Sequence, residues 1–454
     1  MKLDLTHTRS TVLGLARSGL AAARLLRECG AEVFASDAGQ LALEARSWLE
    51  TMGLEFEEGG HTDRVLDSRL IVVSPGIRPD LPVLVRARSR GIEIIGEAEL
   101  AFRAAEGSVI AITGTNGKST TVSMIGAIME AAGQRALVGG NLAPGRPLCQ
   151  LALESAADSI MAAEISTFQI EYFSDFRPRV GVVTNISPDH LDRHPDFSSY
   201  ARLKGEMLKN QTANDWAVLN RDDGNVQKYC GHYRGRRLDF SLSPLEEEGA
   251  WWDGKSVFLK LDGRVEVVME SSRLKVPGRH NIANALAAAA AAVALGTPTE
   301  AISRGLSEFE GVPHRLEQVA VANGVSYVNN SMCTNAAAGI SSLKAFDQPV
   351  IVIIGGKEKN TDLSGYLTEI SRRAKAAITI GECRERLAGQ LKSMGFRPAL
   401  LAEDMDDAVA QAARLASPGD VVLLSPGCAS FDMFRDFEDR GRQFAQAAQR
   451  LEGK

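Results

Sequence analysis

The sequence predicts an α/β protein built of three domains in a row. Length is the first ground, since 454 residues are enough for about three cores of ordinary size. Apolar runs of strand length also alternate with stretches of helical spacing, the pattern of mostly parallel sheets covered on both faces. Finally, glycine-rich turns at Gly14–Gly19 and Gly114–Gly117 each join an apolar strand to a helix. The expected boundaries are 1–104, 105–312 and 313–454, with no internal repeat or long linker.

Composition narrows the function. Hydrophobic residues at 44% and charged residues at 24% exclude a disordered chain and a membrane protein. A net charge of −6 without a long basic run argues against a nucleic-acid surface, so an anionic small substrate requires local cations. Cys29, Cys149, Cys230, Cys333, Cys383 and Cys428 are scattered without a CxxC pair, which reads as reduced thiols in a cytoplasm. Arg9, Arg17 and Arg24 interrupt any signal-peptide core, and the alanine-rich run Ile282–Leu295 is too short to span a bilayer. A cytoplasmic monomer without membrane insertion is expected.

In the first domain, strand Thr11–Leu13, the turn Gly14-Leu15-Ala16-Arg17-Ser18-Gly19, a helix to Cys29 and strand Glu32–Ser36 form a β-α-β unit ending at Asp37. Such glycines let the backbone approach a pyrophosphate, and an acid about twenty residues on meets a ribose. Ala16 replaces the middle glycine of the dinucleotide fingerprint. From these residues alone an NAD site, a site for another nucleotide such as UDP, and an unliganded turn all stay open. A second strand and turn, Leu70 to Gly76, places Ser74 at a strand's carboxyl end, and the domain closes near Glu97–Ala105.

The central domain opens on the most informative stretch of the chain. Strand Ser108–Thr113 leads into Gly114-Thr115-Asn116-Gly117-Lys118-Ser119-Thr120, and helical spacing follows over Val122–Ala131. Glycines turn successive N–H groups toward phosphate oxygens, the lysine supplies charge for the outer phosphates, and the hydroxyl reaches magnesium. A nucleoside triphosphate is therefore the expected ligand. The standard spacing requires a further glycine where this chain has Ile112, so the loop is a shortened variant. Downstream, Glu164 follows a short apolar segment and is a candidate magnesium ligand, although without context it reads as a solvated strand-end carboxylate. Apolar Val180–Ile186 ends in Asn185 and runs into Ser187-Pro188-Asp189-His190-Leu191-Asp192-Arg193-His194. His190 and His194 have the spacing of a zinc pair, but lack the glutamate between them, and magnesium with phosphate oxygens fits better. Lys204 lies on a predicted helix, where a lone lysine is ordinarily solvent-exposed. The third domain has apolar strands at Pro349–Ile354, Ala376–Ile380 and Asp420–Leu424.

These residues fall into motifs: GTNGKST at 114–120, EISTFQ at 164–169, NISPDHLDRHP at 185–195, PGRHNIANALAA at 277–288, HRLE at 314–317 and SPGCASFDMF at 425–434. In this order, and over nearly the whole chain, they resemble the Mur ligases. Gly139-Gly140-Asn141, Glu164–Gln169 and Ser425–Gly441 are most similar to members that add D-glutamate to UDP-N-acetylmuramoyl-L-alanine. The resemblance implies Rossmann-like N- and C-terminal domains around a P-loop ATPase-like central domain with a parallel or mixed sheet. It implies an acyl-phosphate reaction using ATP and Mg2+, with ADP and phosphate released. Arg17, Ser18, Asp37 and Ser74 would line the uridine diphosphate, and Asn141, Ser166 and Gln169 the muramoyl-alanine. Ser119 and Glu164 would hold one magnesium, and His190 and a carbamylated Lys204 a second. Asn281 and Asn284 would meet the adenine, although alone they read equally as helix caps, and Arg315 and Asn330 would complete the ATP site. His190, Thr334, Lys359, Ser430 and Phe437 would hold the glutamate.

One segment departs from the family. Where its pattern is NDSKATN, this chain reads Asn329-Asn330-Ser331-Met332-Cys333-Thr334-Asn335, without the acid and the ammonium. Asn330 can still hydrogen-bond a ribose hydroxyl, Met332 cannot replace a cation, and Lys357 is expected to restore part of the positive field. The departure keeps two alternatives in view, a same-family ligase for L-glutamate or another amino acid, and a catalytically idle paralogue. Folylpolyglutamate synthase would not need the N-terminal nucleotide unit, and a dehydrogenase would leave the phosphate loop without a role.

Overall fold

Strands such as Leu70–Val73 and Val180–Val183 carry no polar side chain because both faces of their sheets are covered, and every residue in them is buried. The computed structural model describes residues 3–142, 145–190, 193–276, 278–357 and 362–452. It holds three sheets in two units, residues 1–309 with the first two sheets and 310–454 with the third.

The first sheet contains β1 (Arg9–Leu13), β2 (Glu32–Ser36), β3 (Glu55–Glu57), β4 (Leu70–Val73) and β5 (Glu93–Gly96), all parallel, in the order β3-β2-β1-β4-β5. Strand β1 stands between β2 and β4, so the turn after it, Asp37 after β2 and Ser74 after β4 open at one carboxyl-end crevice.

The second sheet contains β6 (Ser108–Thr113), β7 (Ala136–Gly140), β8 (Ile160–Glu164), β9 (Val180–Val183), β10 (Trp216–Asn220), β11 (Arg236–Ser241), β12 (Gly249–Trp252), β13 (Ser256–Leu261) and β14 (Arg264–Glu270). Their order is β14-β13-β12-β11-β10-β9-β6-β8-β7. Pairing is parallel from β7 to β12, and β13 and β14 close one edge as antiparallel strands. The phosphate loop follows β6, whose neighbours β8 and β9 deliver Glu164 and Asn185 beside it. The alanine-rich segment forms the helix Arg279–Val293, fully buried from Ala285 to Ala292, where small side chains allow close approach to helix Lys118–Ala131 and the sheet.

Helix Glu97–Ala104 joins these two domains through buried carboxylates. Glu99 accepts the backbone N–H groups of Ser174, Asp175 and Phe176 at 3.1, 3.0 and 3.0 Å and the Nε of Arg103 at 2.9 Å. Glu97 accepts the N–H of Cys149 at 2.7 Å, and burial pushes its carboxyl up to about 7. A raised folded-state value favours the protonated form. Glu97 is therefore neutral with full stability below about 4.5, and stability is lost as pH rises from there through about 7. At about 1.4 kcal/mol per unit the loss is about 3 kcal/mol. Glu97→Gln, which keeps an acceptor for Cys149, is expected to match the parent's Tm at pH 5 and exceed it at pH 8; equal Tm differences at both values would refute the assignment.

The third sheet contains β15 (Glu317–Ala322), β16 (Val325–Asn329), β17 (Val350–Gly355), β18 (Ala374–Ile380), β19 (Ala399–Leu401) and β20 (Val421–Leu424), in the order β15-β16-β20-β17-β18-β19. All its pairs are parallel except β15 with β16. Because β20 lies between β16 and β17, three loops far apart in sequence, at residues 330–335, 356–357 and 425–434, emerge side by side.

Candidate active site

The phosphate loop is shaped by contacts that leave no room for side chains at its glycines. Gly114 has φ +146° and Gly117 φ +84°; a Cβ on the first would lie 1.9 Å from Thr184 Oγ1, and on the second 2.3 Å from Asn284 Oδ1. Asn185 clamps the loop from β9. It accepts the Asn116 N–H at 2.9 Å and donates through Nδ2 to the Asn116 carbonyl at 2.9 Å, while its own carbonyl takes the Thr115 N–H at 2.9 Å. Thr115 Oγ1 lies 3.0 Å from the Tyr200 hydroxyl. Ile112 is a buried strand residue in register with Glu164, so the turn begins only after Thr113. Thr120 is buried in the first turn of the helix that follows.

Two ammonium groups meet one carbonyl at the loop. Lys118 Nζ donates to the carbonyls of Gly114 and Thr115 at 3.0 and 2.9 Å, and Lys204 Nζ donates to that of Gly114 at 2.9 Å. Lys204 is only 2% exposed, and its ammonium lies 4.5 Å from the Tyr200 ring centroid. The solvent-exposed reading of this lysine is thus corrected, because helix Phe197–Glu206 turns it inward. Burial, reinforced by the Lys118 charge, holds its amine well below the ordinary lysine range.

Glu164 is likewise buried, not a solvated strand end. Its Oε2 accepts the Ser119 hydroxyl at 2.6 Å and its Oε1 the Asn141 Nδ2 at 3.2 Å. It forms no ion pair among the described residues, and a buried carboxylate beside a hydroxyl at a phosphate loop is the hard-oxygen donor set a magnesium ion takes. His190 is placed differently. Its φ is +51°, its ring packs 5.0 Å from Phe168, and no hydrogen bond joins it to Glu164 or Lys204. His194 is buried and its Nε2 meets Thr167 Oγ1 at 3.0 Å. Among the described residues no group of three His, Cys, Asp or Glu is placed to hold a metal, so the zinc-pair reading gains no third ligand.

Asn281 and Asn284 lie inside the helix that Gly278 caps, so they are not caps. Asn284 donates to Asn281 Oδ1 at 3.1 Å and accepts from Thr121 Oγ1 at 3.4 Å, facing the phosphate-loop helix. In the first domain Asp37 accepts the N–H groups of Leu15 at 2.6 Å and Gly39 at 2.8 Å, and Ser74 Oγ donates to the Gly14 carbonyl at 2.7 Å. Arg17 and Ser18 begin the helix at that turn, with Arg17 exposed. Ser166 and Gln169 form a capping box in which Gln169 Oε1 accepts the Ser166 N–H at 2.9 Å.

The unit of residues 310–454 gathers its own set. Asn330 is buried and accepts the Leu316 N–H at 3.4 Å, close to Arg315, whose neighbours His314 and Leu316 have φ of +62° and +46°. Ser331 Oγ donates to the Phe437 carbonyl at 2.7 Å. Thr334 is exposed, Ser430 is buried, and the Lys357 N–H pairs with the Ala429 carbonyl at 2.9 Å, so Lys357 lies beside the Ser430 loop. Lys359 lies outside the described residues. Arg440, fully buried, ties two loops together: Nε donates to Ser331 Oγ at 3.0 Å, Nη2 to the Ser331 carbonyl at 2.9 Å and Nη1 to the Cys428 carbonyl at 3.1 Å. Burial pulls its guanidinium down to about 10, so it remains a cation at neutral pH.

Comparison with known proteins decides the family. Residues 112–292 match the Mur ligase middle domain, residues 9–83 the MurD N-terminal domain, and residues 314–428 the Mur ligase glutamate ligase domain. A UDP-N-acetylmuramoylalanine--D-glutamate ligase of Pelotomaculum thermopropionicum is 41% identical over 98% of each chain, and one of Salinibacter ruber 38% identical over 99% of each. The chain belongs to the Mur ligase family. It is therefore an ATP-dependent ligase of peptidoglycan precursors. Solved Mur ligases share the fold at low identity: the UDP-N-acetylmuramate-alanine ligase MurC of Thermotoga maritima has a TM-score of 0.62 at 19% identity, covering 98% of this chain and 100% of its own. MurF of the same organism, solved with ADP, has a TM-score of 0.58 at 16% identity, covering 93% of this chain and 95% of its own.

Three residues that shape these loops, two in the first unit and one in the second, were not marked from the sequence. Asn185 appeared only as a strand terminus and Tyr200 only as part of a helix, while Arg440 lay unmarked within the segment Ser425–Gly441. Asn185 was the most accessible of the three, since an asparagine directly after a buried strand beside a phosphate loop has backbone groups within reach.

Proposed function

We propose that this Mur ligase adds D-glutamate to UDP-N-acetylmuramoyl-L-alanine, with ATP converted to ADP and phosphate. The carrying observation is the buried Ser119–Glu164 pair, 2.6 Å apart at the head of a phosphate loop, in a chain alike end to end to relatives bearing that name. The substrate carboxylate attacks the γ-phosphorus and ADP leaves; the glutamate amine then attacks the acyl phosphate, a C–N bond forms and phosphate departs. A carboxylate is a poor electrophile, and the approach of two anions requires cations. Lys118 and the loop N–H groups orient the triphosphate, with Asn281 and Asn284 toward the adenine and Arg315 and Asn330 completing the nucleotide site. Asp37, Ser74, Arg17 and Ser18 take the uridine diphosphate, and Asn141, Ser166 and Gln169 position the muramoyl-alanine. Thr334, Lys359, Ser430 and Phe437, with His190, take the amino acid. Ser119 and Glu164 would hold one magnesium, and His190 and a carbamylated Lys204 a second, supplying positive charge for the outer phosphates. Among the described residues no helix is long and apolar enough to cross a membrane, and the reading places a monomer in the cytoplasm with its nucleotide substrates.

Incubation with ATP, Mg2+ and UDP-N-acetylmuramoyl-L-alanine, offering D- and L-glutamate separately, tests it through phosphate release and product mass. A product heavier by one glutamyl residue with the D isomer alone is expected. Product with the L isomer alone would assign the Asn330 and Met332 departure to acceptor choice, and no product with either would overturn the reading.

A further inference from the structure

The loops that gather beside β20 carry a pair of thiols that the ligation chemistry does not use. Cys428 lies two residues before Ser430, and Cys383 is the N-cap of helix Arg384–Ser393; their sulfurs are 3.7 Å apart and both side chains are buried. The seam around them is already laced. Cys383 N–H donates to the Gly356 carbonyl at 3.2 Å, the Gly355 N–H to that of Pro426 at 2.9 Å, and the Glu382 N–H to Asp432 Oδ2 at 2.8 Å. Two positive features flank the pair. Cys383 stands at the positive end of a helix. Arg440, bonded to the Cys428 carbonyl, forms no ion pair among the described residues, its three hydrogen-bond acceptors all being neutral oxygens.

We propose that Cys383 and Cys428 are a redox-modification site, closed by hydrogen peroxide into an intramolecular disulfide that displaces the Ser430 loop and lowers ligase activity. Cys428, 8% exposed against 2% for Cys383, is the thiol that meets peroxide. Its sulfur takes an oxygen from peroxide and its thiol proton leaves with the other oxygen, giving a sulfenic acid and water; the Cys383 thiol then attacks that sulfur, its proton leaving with the hydroxyl as a second water. Two thiols are oxidised and one peroxide is reduced. Bond formation shortens the separation from 3.7 Å to about 2 Å. That movement pulls Cys428 away from Arg440 Nη1 and carries Ser430 with it. The loss of activity rests on the reading of Ser430 as part of the amino-acid site, whereas disulfide formation does not.

The full-length protein is treated with hydrogen peroxide, digested without reductant and mapped by mass, with ligase activity followed in parallel. The expected result is a linked Cys383–Cys428 peptide lighter by two hydrogens, a rise in the KM for glutamate of roughly tenfold, and recovery of both with dithiothreitol. Cys383→Ser is expected to keep basal activity and lose the cross-link, leaving sulfenic or sulfinic acid on Cys428. Unmodified thiols, or oxygen addition without a cross-link in the parent, would overturn the site. A cross-link with an unchanged KM would overturn the effect on the loop, and because peptide mapping needs no turnover, an inactive parent would refute only the substrate reading.

Discussion

Glu164→Gln is expected to lower kcat by roughly a hundredfold to a thousandfold while leaving the fold in place. Glutamine keeps the volume and one acceptor oxygen, so Ser119 Oγ, now 2.6 Å from Oε2, or Asn141 Nδ2, now 3.2 Å from Oε1, retains a partner. What disappears is the negative charge of a buried carboxylate that forms no ion pair among the described residues. The physical alternative is a purely architectural role, in which Glu164 serves to pin Ser119 and Asn141. The two roles separate in one pair of measurements, Tm and the dependence of rate on Mg2+ concentration. A cation ligand predicts an unchanged or higher Tm, since a buried uncompensated charge has been removed, together with a much higher Mg2+ requirement. A lowered Tm with an unchanged rate per folded molecule and an unchanged Mg2+ requirement would assign Glu164 to architecture alone.

The contrast between the phosphate loop and Glu164 shows which parts of this chain can be read from letters. Strand, glycine turn and helix are local patterns, so the phosphate loop and the β-α-β unit ending at Asp37 were legible before any coordinates. The strands read at Pro349–Ile354 and Asp420–Leu424 lie at Val350–Gly355 and Val421–Leu424, a shift of one residue at their ends. Burial of charge was not legible. Glu164 and Lys204 read as surface groups because nothing local reveals that β8 stands next to β6, or that helix Phe197–Glu206 packs on the loop between them. Nor could spacing reveal Arg440, whose partners Ser331 and Cys428 are brought within reach only because β20 inserts between β16 and β17. Long-range strand order therefore determines the electrostatics of both units, and it is the level at which residue-by-residue reading falls short.

Lys204→Met is expected to reduce kcat by a similar factor, roughly a hundredfold or more, and the parent is expected to depend on dissolved carbon dioxide. The argument begins with burial. At 2% exposure, with the Lys118 ammonium sharing the Gly114 carbonyl, Lys204 is held well below the ordinary lysine range. The sign follows from the lowered value. The amine is neutral above its depressed value and charged below it, so the neutral fraction is present at pH values where an exposed lysine remains an ammonium. A neutral amine is the nucleophile that adds to carbon dioxide, and the carbamate formed would be an anion with two hard oxygens beside the Lys118 ammonium. Carbamylation would thus place an anion next to the Lys118 cation and add a donor set suited to magnesium. Enzyme prepared in degassed, bicarbonate-free buffer is expected to lose activity and regain it on adding bicarbonate, with activity falling as pH drops and the amine protonates. Lys204→Met is expected to be insensitive to bicarbonate. If the parent were equally active with and without bicarbonate, Lys204 would act as a plain ammonium on the loop, and Lys204→Arg would then retain most of the rate.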